Sequence, residues 1–436
     1  MSTVIWLALL PLVLAVGLWA FQRPPRVFAI YAAVIPFGST FALPLGLPRS
    51  FTTISSILAA LTVVALTWGL VRRRLHNPLT LATSLWLLFL SLAAASAAWS
   101  LRPAATVDDV FVLGSLVILY LVVALYPFER NDLAFVANAI VVGTALTGAY
   151  AIALAATSNL PETGAGLARF EITGAGGGEG GDPNITAAAL LLGFAIALHD
   201  ALQPGISRAM RVGYLIATVL TAIGIVLTVS RGGIIAAGIV VAIVVVKQRR
   251  GAITILILGL VMAPALFLIP DTVAERSDNT GTSGRTAIWE IALESCPEYC
   301  VTGSGFATFP DVHEEHLLTT PDATGTKLRF QAHSIWLGTL IELGVLGLVL
   351  ATAALIALGW DLWRVPSRFR AGALAGLVGL IVTNSFLSNS TFKYFWLVLM
   401  YGTIVVNVNR MWSRDTPNGS LMGPDPSLPV DSNLDA

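Results

Sequence analysis

Arg231 is the clearest candidate for a functional residue, because it is a charged residue in an otherwise apolar part of the sequence. It lies in TVSRGGIIA, residues 228–236, between two runs of apolar residues. An arginine at bilayer depth costs about 2.5–3.5 kcal/mol on insertion scales, so the residue either has a function or lies at the membrane boundary. Its planar guanidinium suits a phosphate or diphosphate; the simpler alternative is a side chain that extends to the headgroup layer. Gly232 and Gly233 would permit a tight turn or the close approach of another helix.

Arg169, Arg285 and His333 are further candidates, because they fall in polar segments that we place on the same side as Arg231. His333 opens an apolar stretch, AHSIWLGTLIELGVLGL, where a long polar segment returns to the membrane. A histidine there could act as a general base near neutral pH. The alternative is a histidine that only forms a hydrogen bond at a helix start.

Two other polar clusters are weaker candidates. HEEH at 313–316 is not the HExxH zinc pattern and has no evident third ligand, so we expect solvated loop residues and no metal. Cys296 and Cys300, in CPEYC, are the only cysteines. They could form a disulfide on an oxidising side, although four-residue spacing in a regular helix disfavours one unless Pro297 breaks the helix.

Composition sets the elements that must position these residues. Of the 436 residues, 56% are hydrophobic and 11% are charged, with a mean hydropathy of +0.80. Soluble domains carry roughly 25% charged residues. The chain is therefore predicted to be an all-α, polytopic membrane protein embedded in a lipid bilayer. A net charge of zero argues against nucleic-acid binding through phosphate neutralisation.

About thirteen apolar runs are long enough to cross a bilayer. They cover 3–21, 27–46, 51–71, 79–98, 108–126, 134–157, 185–199, 212–229, 232–246, 252–270, 334–359, 370–388 and 392–408. Basic clusters occur in every second connection, apart from the weakly charged FERND at 128–132, so these connections should be cytoplasmic. Thirteen spans place the N-terminus outside and the C-terminus inside; merging two early runs gives twelve spans with both termini inside.

The membrane domain is predicted to cover residues 1–410, and a disordered cytoplasmic tail to follow over 411–436. Two outward segments are longer than simple turns: a Gly-rich, flexible segment at 158–184 and a large loop at 271–332. Within the large loop, RTAIWEIALESC predicts an amphipathic surface helix, with apolar and acidic residues on opposite sides. These are Ile288, Ile291 and Ala292 on one side, and Glu290 and Glu294 on the other.

Several short motifs occur in the order found in a known family. They are Ser230-Arg231-Gly232-Gly233, Gly284-Arg285 with Trp289, Gly303-Ser304-Gly305 with Phe309, and His333-Ser334 followed by Glu342, Gly344 and Gly347. Arg169 and Asp182-Pro183-Asn184 precede them. Over roughly residues 165–350 the chain resembles the O-antigen ligase/polymerase family of membrane glycosyltransferases. The Gly-rich run before Asp182, the HEEH segment and the cysteine pair have no counterpart in that pattern.

The resemblance implies a GT-C-like helical fold and transfer of a glycan from undecaprenyl diphosphate to an acceptor hydroxyl on a glycan or lipid. The reaction would invert the anomeric centre outside the cytoplasmic (inner) membrane, with no metal or other cofactor. Arg231 and Arg285 would hold the diphosphate, with Arg169 as a third candidate, and His333 would activate the acceptor. Gly232, Gly233, Trp289, Gly303, Gly305 and Glu342 would support them.

Two alternatives remain from other classes. A transporter or flippase of lipid-linked glycans should show ionisable or discontinuous elements near the midplane and internal repeats. Here the polar residues gather on one side, although Glu342 within an apolar run is an exception. A peptidoglycan polymerase of the shape, elongation, division and sporulation type shares the helix layout, but its acidic signature has no evident place in the large loop.

Overall fold

The computed structural model describes residues 19, 22–37, 53–73, 76–161, 168–172, 182–245, 285–318, 330–366, 368–388 and 390–415. Throughout these residues the regular secondary structure is helical. The helices are α1 (Pro24–Val34), α2 (Ile54–Arg73), α3 (Leu81–Ala95), α4 (Pro103–Leu125), α5 (Arg130–Ala156), α6 (Pro183–Leu202), α7 (Arg208–Leu227), α8 (Arg231–Val245), α9 (Arg285–Glu294), α10 (Cys296–Tyr299), α11 (Phe309–Leu318), α12 (Ile335–Arg364), α13 (Arg370–Asn384) and α14 (Lys393–Asp415).

Local sequence signals explain where several helices begin. The side chain of Thr80 accepts a hydrogen bond from the Thr83 amide before α3, and Ser207 does the same for Met210 before α7. Each cap satisfies a backbone N–H that the first helical turn leaves without a partner. Glu129 and Asp132 form a reciprocal capping box at the start of α5.

The fold confirms an all-α, polytopic membrane protein. Seven helices in the described residues are long and apolar enough to cross a membrane, and three shorter apolar helices accompany them. Eleven of the thirteen predicted runs coincide with helices wholly or in part; the runs at 3–21 and 252–270 lie almost entirely outside the described residues. The number of spans stays a prediction. The last helix continues to Asp415, five residues past the predicted end of the membrane domain at residue 410, and 416–436 lie outside the described residues.

Ion pairs between residues near helix termini show which termini lie at the same end of the bundle. At one end, which we call the basic end, Arg73 of α2 pairs with Glu129 before α5 at 3.5 Å, and Arg410 of α14 pairs with Asp361 of α12 at 2.7 Å. The weakly charged FERND connection, which contains Glu129, therefore lies with the basic connections, as their alternation along the chain predicts. We call the opposite end of the bundle the site end.

Arginines at the basic end pack on tryptophans as expected at a membrane interface. Arg72 lies 4.7 Å from the ring centroid of Trp68, and Arg364 lies 4.4 Å from that of Trp360. Both indoles are more than half exposed. Aromatic rings and cationic side chains together favour the boundary between lipid tails and water. This end of the bundle therefore marks one membrane surface.

Two helices, α6 and α14, form the centre of the bundle. Most of α6 is buried inside the protein. On α14 the rings of Phe395, Trp396 and Tyr401 are buried, and Trp396 packs against Trp86 of α3 at 5.2 Å and Tyr120 of α4 at 5.6 Å. The surrounding helices instead expose large apolar side chains, as a lipid environment requires. Examples are Val64, Phe111, Ile118 and Ile356.

Candidate functional site

The corner between α7 and α8 positions Arg231 at the site end. Val229 adopts a positive φ of 51°, an uncommon conformation for a β-branched residue, and so turns the chain. Ser230 is buried and caps α8, since its hydroxyl lies 3.2 Å from the amide of Gly233. Arg231 is the first residue of α8 and its side chain is exposed.

Gly232 and Gly233 do not make this turn. Both are helical, so the prediction that these glycines allow a tight turn is wrong, and Val229 bends the chain two residues before Arg231. The alternative, close helix approach, is confirmed. A Cβ on Gly233 would clash with the Ala187 side chain of α6.

The DPN segment supports the same corner from α6. Asp182 caps α6 and accepts hydrogen bonds from the backbone amide and side-chain amide of Asn184, at 2.7 and 3.0 Å. Asn184 in turn accepts one from the Ser230 hydroxyl at 2.8 Å. One chain of hydrogen bonds therefore connects the carboxylate of Asp182 to the residue before Arg231.

Arg169 lies beneath this corner. It is 6% exposed, and its Nε donates to the carbonyl oxygen of Thr228 at 2.9 Å, with a second nitrogen 3.5 Å from that of Val229. Phe170 and Ile172 beside it are also buried. This part of the predicted flexible segment 158–184 is therefore packed against the end of α7. Arg169 is better placed to hold the corner than to reach a ligand.

Helix α9 brings Arg285 and Trp289 to the site end. The predicted amphipathic helix is present: Ile288, Ile291 and Ala292 are buried, and Arg285 is its first residue. Its place on the membrane surface stays a prediction. The Trp289 indole donates to the carbonyl oxygen of Ala332 at 3.1 Å.

A face of the Trp289 ring links α9 to the Arg231 corner. The ring stacks on Phe386, with centroids 6.4 Å apart and planes inclined by 27°. Phe386 also lies beside Gly232, 3.6 Å from where a Cβ would stand. Trp289 therefore connects the start of α8, the surface helix and the segment that leads to His333.

His333 lies just outside α12, which begins at Ile335. Its φ is 46°, and Ser334 caps the helix by accepting from the Leu337 amide at 3.5 Å. The hydroxyl of Ser388 fixes the same segment, 3.2 Å from the amide of Ser334.

The pKa of the His333 imidazole is lowered from its usual range. Burial is the main cause; the positive charge of Arg285 lowers the pKa further, and the carboxylate of Asp182 opposes it. The three residues, which are far apart in sequence, therefore interact at one site. A lowered pKa keeps the imidazole neutral, the form that accepts a proton.

Helix α12 breaks at Gly344, and the GSG turn fills the break. Gly344 has φ 67° and ψ −172°, and a Cβ there would collide with the carbonyl oxygen of Val301. The amides of Ser304 and Gly305 donate to the carbonyl oxygens of Ile341 and Glu342, each at 2.9 Å. These bonds satisfy backbone groups that the break would leave without partners.

The turn has further anchors. The Glu342 carboxylate accepts from the amide of Phe309 at 3.3 Å. Gly303, with φ 84°, packs directly on the backbone of Glu342 and Leu343. On the other side, the amide of Phe306 donates to Ser96 at 3.0 Å, at the end of α3. Gly303, Gly305 and Glu342 thus have structural roles that account for their place in the motif.

The break at Gly344 is followed by a long continuous helical segment. From Val345 to Arg364 the helix covers roughly 30 Å at about 1.5 Å per residue, enough to cross a bilayer unaided. The preceding nine residues, Ile335–Leu343, pack with α9, α10 and α11. The position at which the chain re-enters the membrane stays a prediction. We call the segments that pack together here, α9, α10 and α11 with Ile335–Leu343, the polar layer of the site end.

The two weaker clusters also have defined structures. Cys296 and Cys300 form a disulfide, with Cα atoms 4.6 Å apart at α10. The prediction that HEEH lies in a solvated loop is wrong, because it belongs to α11 and His313 is 3% exposed, packed against Phe309 and Phe330. Among the residues described, no group of three or more His, Cys, Asp or Glu side chains is arranged to hold a metal ion.

Phe386 and Ser388 belong to the site and were not predicted from sequence. They lie in NSFLSNST, a short polar connection between two apolar runs. The cluster of serines and asparagines at the end of an apolar run was the available signal.

Fold and site together define a class: a many-helix membrane protein with a polar layer at one end that carries arginines and a histidine. Residues 216–352 match the O-antigen ligase family, and the match supports placing the chain in that family. The matched part runs from α7 into α12 and includes Arg231, Arg285, Trp289 and His333; Arg169 lies outside it. Comparison with curated proteins gives no match. The family implies a membrane glycosyltransferase or ligase active in polysaccharide biosynthesis.

Proposed function

We propose that this protein transfers a glycan from undecaprenyl diphosphate to an acceptor hydroxyl, at the outer face of the bacterial cytoplasmic membrane. The observation that best supports this proposal is the environment of His333. Its imidazole is neutral, and its pKa depends on both Arg285 and Asp182. It supplies a proton acceptor beside a cation, the pair of groups that glycosyl transfer from a diphosphate requires.

The proposed transfer is a single nucleophilic displacement at the anomeric carbon of the donor glycan. The acceptor hydroxyl oxygen forms a bond to the anomeric carbon, and its proton passes to the His333 imidazole. The bond between that carbon and the diphosphate oxygen breaks, and its electron pair leaves with the diphosphate. Attack from the side opposite the leaving group inverts the anomeric centre.

Arg231 and Arg285 have the role of neutralising the leaving group. Each is the first residue of a helix, where the helix dipole adds to the positive potential. Negative charge grows on the diphosphate as the bond breaks, and fixed cations stabilise it without a metal ion. Arg169 acts through the corner, by holding the carbonyl oxygens of Thr228 and Val229 in place.

The polar layer supplies the remaining requirement, which is exclusion of water. Water would otherwise hydrolyse the donor in competition with the acceptor. The hydrogen bond of Trp289 holds α9 against the segment before His333. The 303–309 turn is hydrogen-bonded to α12 just before its break. A donor whose lipid tail remains in the bilayer would place its diphosphate at this boundary.

Deletion of the gene, followed by gel analysis of surface and lipid-linked polysaccharide, tests this function and its subclasses. Loss of long chains from their anchor, with lipid-linked polymer accumulating, indicates a ligase; glycans of a single repeat indicate a polymerase. Complementation with Arg410→Ala, whose pair with Asp361 is at the basic end, should restore the wild-type pattern, and His333→Ala should not. Lipid-linked units accumulating inside the cell would instead indicate a flippase and contradict the proposal.

A further inference from the structure

The backbone of His333 is strained, and the proposed reaction alone does not explain why. Its φ of 46° lies in the left-handed region, where the Cβ atom crowds the backbone and residues other than glycine are uncommon. Such a conformation persists only where the surrounding structure imposes it. Without that support the residue would relax to a negative φ, and its imidazole would point in another direction.

Two hydrogen bonds hold the peptide groups on either side of the His333 Cα atom. The carbonyl oxygen of Ala332 belongs to the peptide group before it and accepts from the Trp289 indole at 3.1 Å. The amide of Ser334 belongs to the peptide group after it and donates to the Ser388 hydroxyl at 3.2 Å. Because each peptide group is planar, the orientations of these two groups determine φ and ψ of His333.

The Ser388 hydroxyl bonds to both backbone groups of Ser334. It accepts from the amide at 3.2 Å and donates to the carbonyl oxygen at 3.4 Å. Ser334 is extended, with φ −158° and ψ 120°, and the N–H and C=O of an extended residue point to the same side. One hydroxyl can therefore bond to both, as the backbone of a neighbouring strand would. This pair of bonds fixes the residue that directly follows His333.

The connection between α13 and α14 carries Ser388 and supports both sides of His333. Two residues before Ser388, the ring of Phe386 stacks on that of Trp289, with centroids 6.4 Å apart. The Ser385 hydroxyl accepts from the indole of Trp336, in the first turn of α12, at 2.9 Å. This short connection therefore contacts α9 and the start of α12 together.

We propose that Ser388 is a positioning residue, whose hydroxyl acts with the Trp289 indole to hold His333 in the left-handed conformation and so aims its imidazole at the acceptor hydroxyl. Ser388 acts through His333 and does not have to contact a substrate. The effect on the backbone is independent of the reaction, whereas the effect on the acceptor rests on the proposed function. A structural measurement and a kinetic one therefore test the two parts separately.

Histidine-selective NMR of the purified full-length protein reports the environment of the imidazole without any transfer reaction. The chain has five histidines, and the spectrum of His333→Gln assigns the His333 signal by difference. Burial and the charge of Arg285 lower the pKa of His333 by more than Asp182 raises it. In Ser388→Ala the imidazole leaves this environment, and its pKa should rise toward about 6.5, the ordinary value. Ser388→Thr, which keeps the hydroxyl, and Ser390→Ala, in the same connection, should both keep the wild-type pKa.

An unchanged His333 pKa in Ser388→Ala overturns the proposal. Should that variant fail to fold, Trp289→Phe gives an independent test. It removes the hydrogen bond to Ala332, on the other side of His333, and keeps a ring to stack on Phe386. The His333 pKa should move in the same direction, and a pKa equal to that of the wild type would equally reject the proposal.

Transfer kinetics test the part that concerns the reaction. Ser388→Ala should lower kcat about tenfold, because a displaced base slows the chemical step, and should keep KM for the donor within about twofold. The acid limb of its pH profile should move to higher pH with the raised pKa. A lowered kcat with the limb in place would overturn the positioning role, since lost stability alone reduces the amount of active protein. A normal kcat despite a raised His333 pKa would contradict the proposed function and leave the effect on the backbone standing.

Discussion

The indole nitrogen of Trp289 lies 3.1 Å from the carbonyl oxygen of Ala332, the residue before His333. This bond ties the helix that begins at Arg285 to the segment that carries the proposed base. One face of the same indole stacks on Phe386, beside the Arg231 corner. Trp289 is therefore a positioning residue for Arg231, Arg285 and His333, although it need not touch the substrate.

Trp289→Phe should lower kcat about three- to tenfold, the equivalent of one lost hydrogen bond of about 0.5–1.5 kcal/mol. The phenyl ring keeps the stack on Phe386, so the unfolding temperature should change little. Transfer rates with purified protein measure the effect, with Trp363→Phe, an exposed ring near the basic end, as the matched control. Equal rates in the two variants would show that the bond to Ala332 does not matter for catalysis.

The pH dependence of transfer should report the lowered pKa of His333. Only the neutral imidazole accepts a proton, so the rate falls as the pH drops through that pKa. Because burial and Arg285 lower the pKa, the pH at which the wild-type rate is half-maximal should lie below about 6.5, the ordinary pKa of histidine. Rate measurements across this range with saturating donor test the direction.

Asp182→Asn provides the matching perturbation. The carboxylate of Asp182 raises the pKa of His333, so its removal should move the acid limb to still lower pH. The asparagine oxygen can still accept from the Asn184 amide, which preserves the cap of α6. An acid limb that stays in place, or moves to higher pH, would argue against the electrostatic link.

Gly344→Ala should destabilise the protein by at least about 1–3 kcal/mol, because its backbone conformation is essentially restricted to glycine and the new Cβ meets Val301. Thermal unfolding of the detergent-purified chain measures the loss. Gly238→Ala is the control: nothing lies within 4 Å of its Cβ position, and alanine favours a helix by about 1 kcal/mol. Identical unfolding temperatures for the two variants would mean that the break in α12 is not required.

Arg169→Met should act on stability more than on donor affinity. It leaves the carbonyl oxygens of Thr228 and Val229 without this buried donor, at a cost of about 1–3 kcal/mol. Unfolding temperature and donor KM, measured on one preparation, distinguish the two roles. A stable variant with a strongly raised donor KM would instead support the hypothesis that Arg169 binds the diphosphate.

The sequence was sufficient to predict most of the helices, and to predict that the candidate site residues lie at one end of the bundle. Apolar runs gave the helices because hydropathy and length are local properties, and the basic connections gave their sidedness. Arg231, Arg285 and His333 were selected on residue type, motif order and side. The amphipathic spacing of RTAIWEIALESC was enough to predict α9.

What the sequence could not give depends on contacts between distant segments. The break at Gly344 has meaning only because the 303–305 turn fills it, and nothing local in IELGVLGL distinguishes a broken helix from a continuous one. Val229 makes the turn that the glycines after Arg231 suggested, whereas Gly233 is helical and lies close to Ala187. HEEH looked solvated because part of the packing around His313 comes from Phe330, which lies outside the helix that carries HEEH.

The most direct test of the central claim is single-turnover transfer by purified protein, from an undecaprenyl-diphosphate-linked glycan to its acceptor. Arg231→Ala, Arg285→Ala and His333→Ala should each reduce the rate by about 10²-fold or more, the usual cost of removing a general base or a transition-state charge. Arg410→Ala should retain the wild-type rate. Full activity in all three site variants, with each protein folded and inserted, would contradict the account.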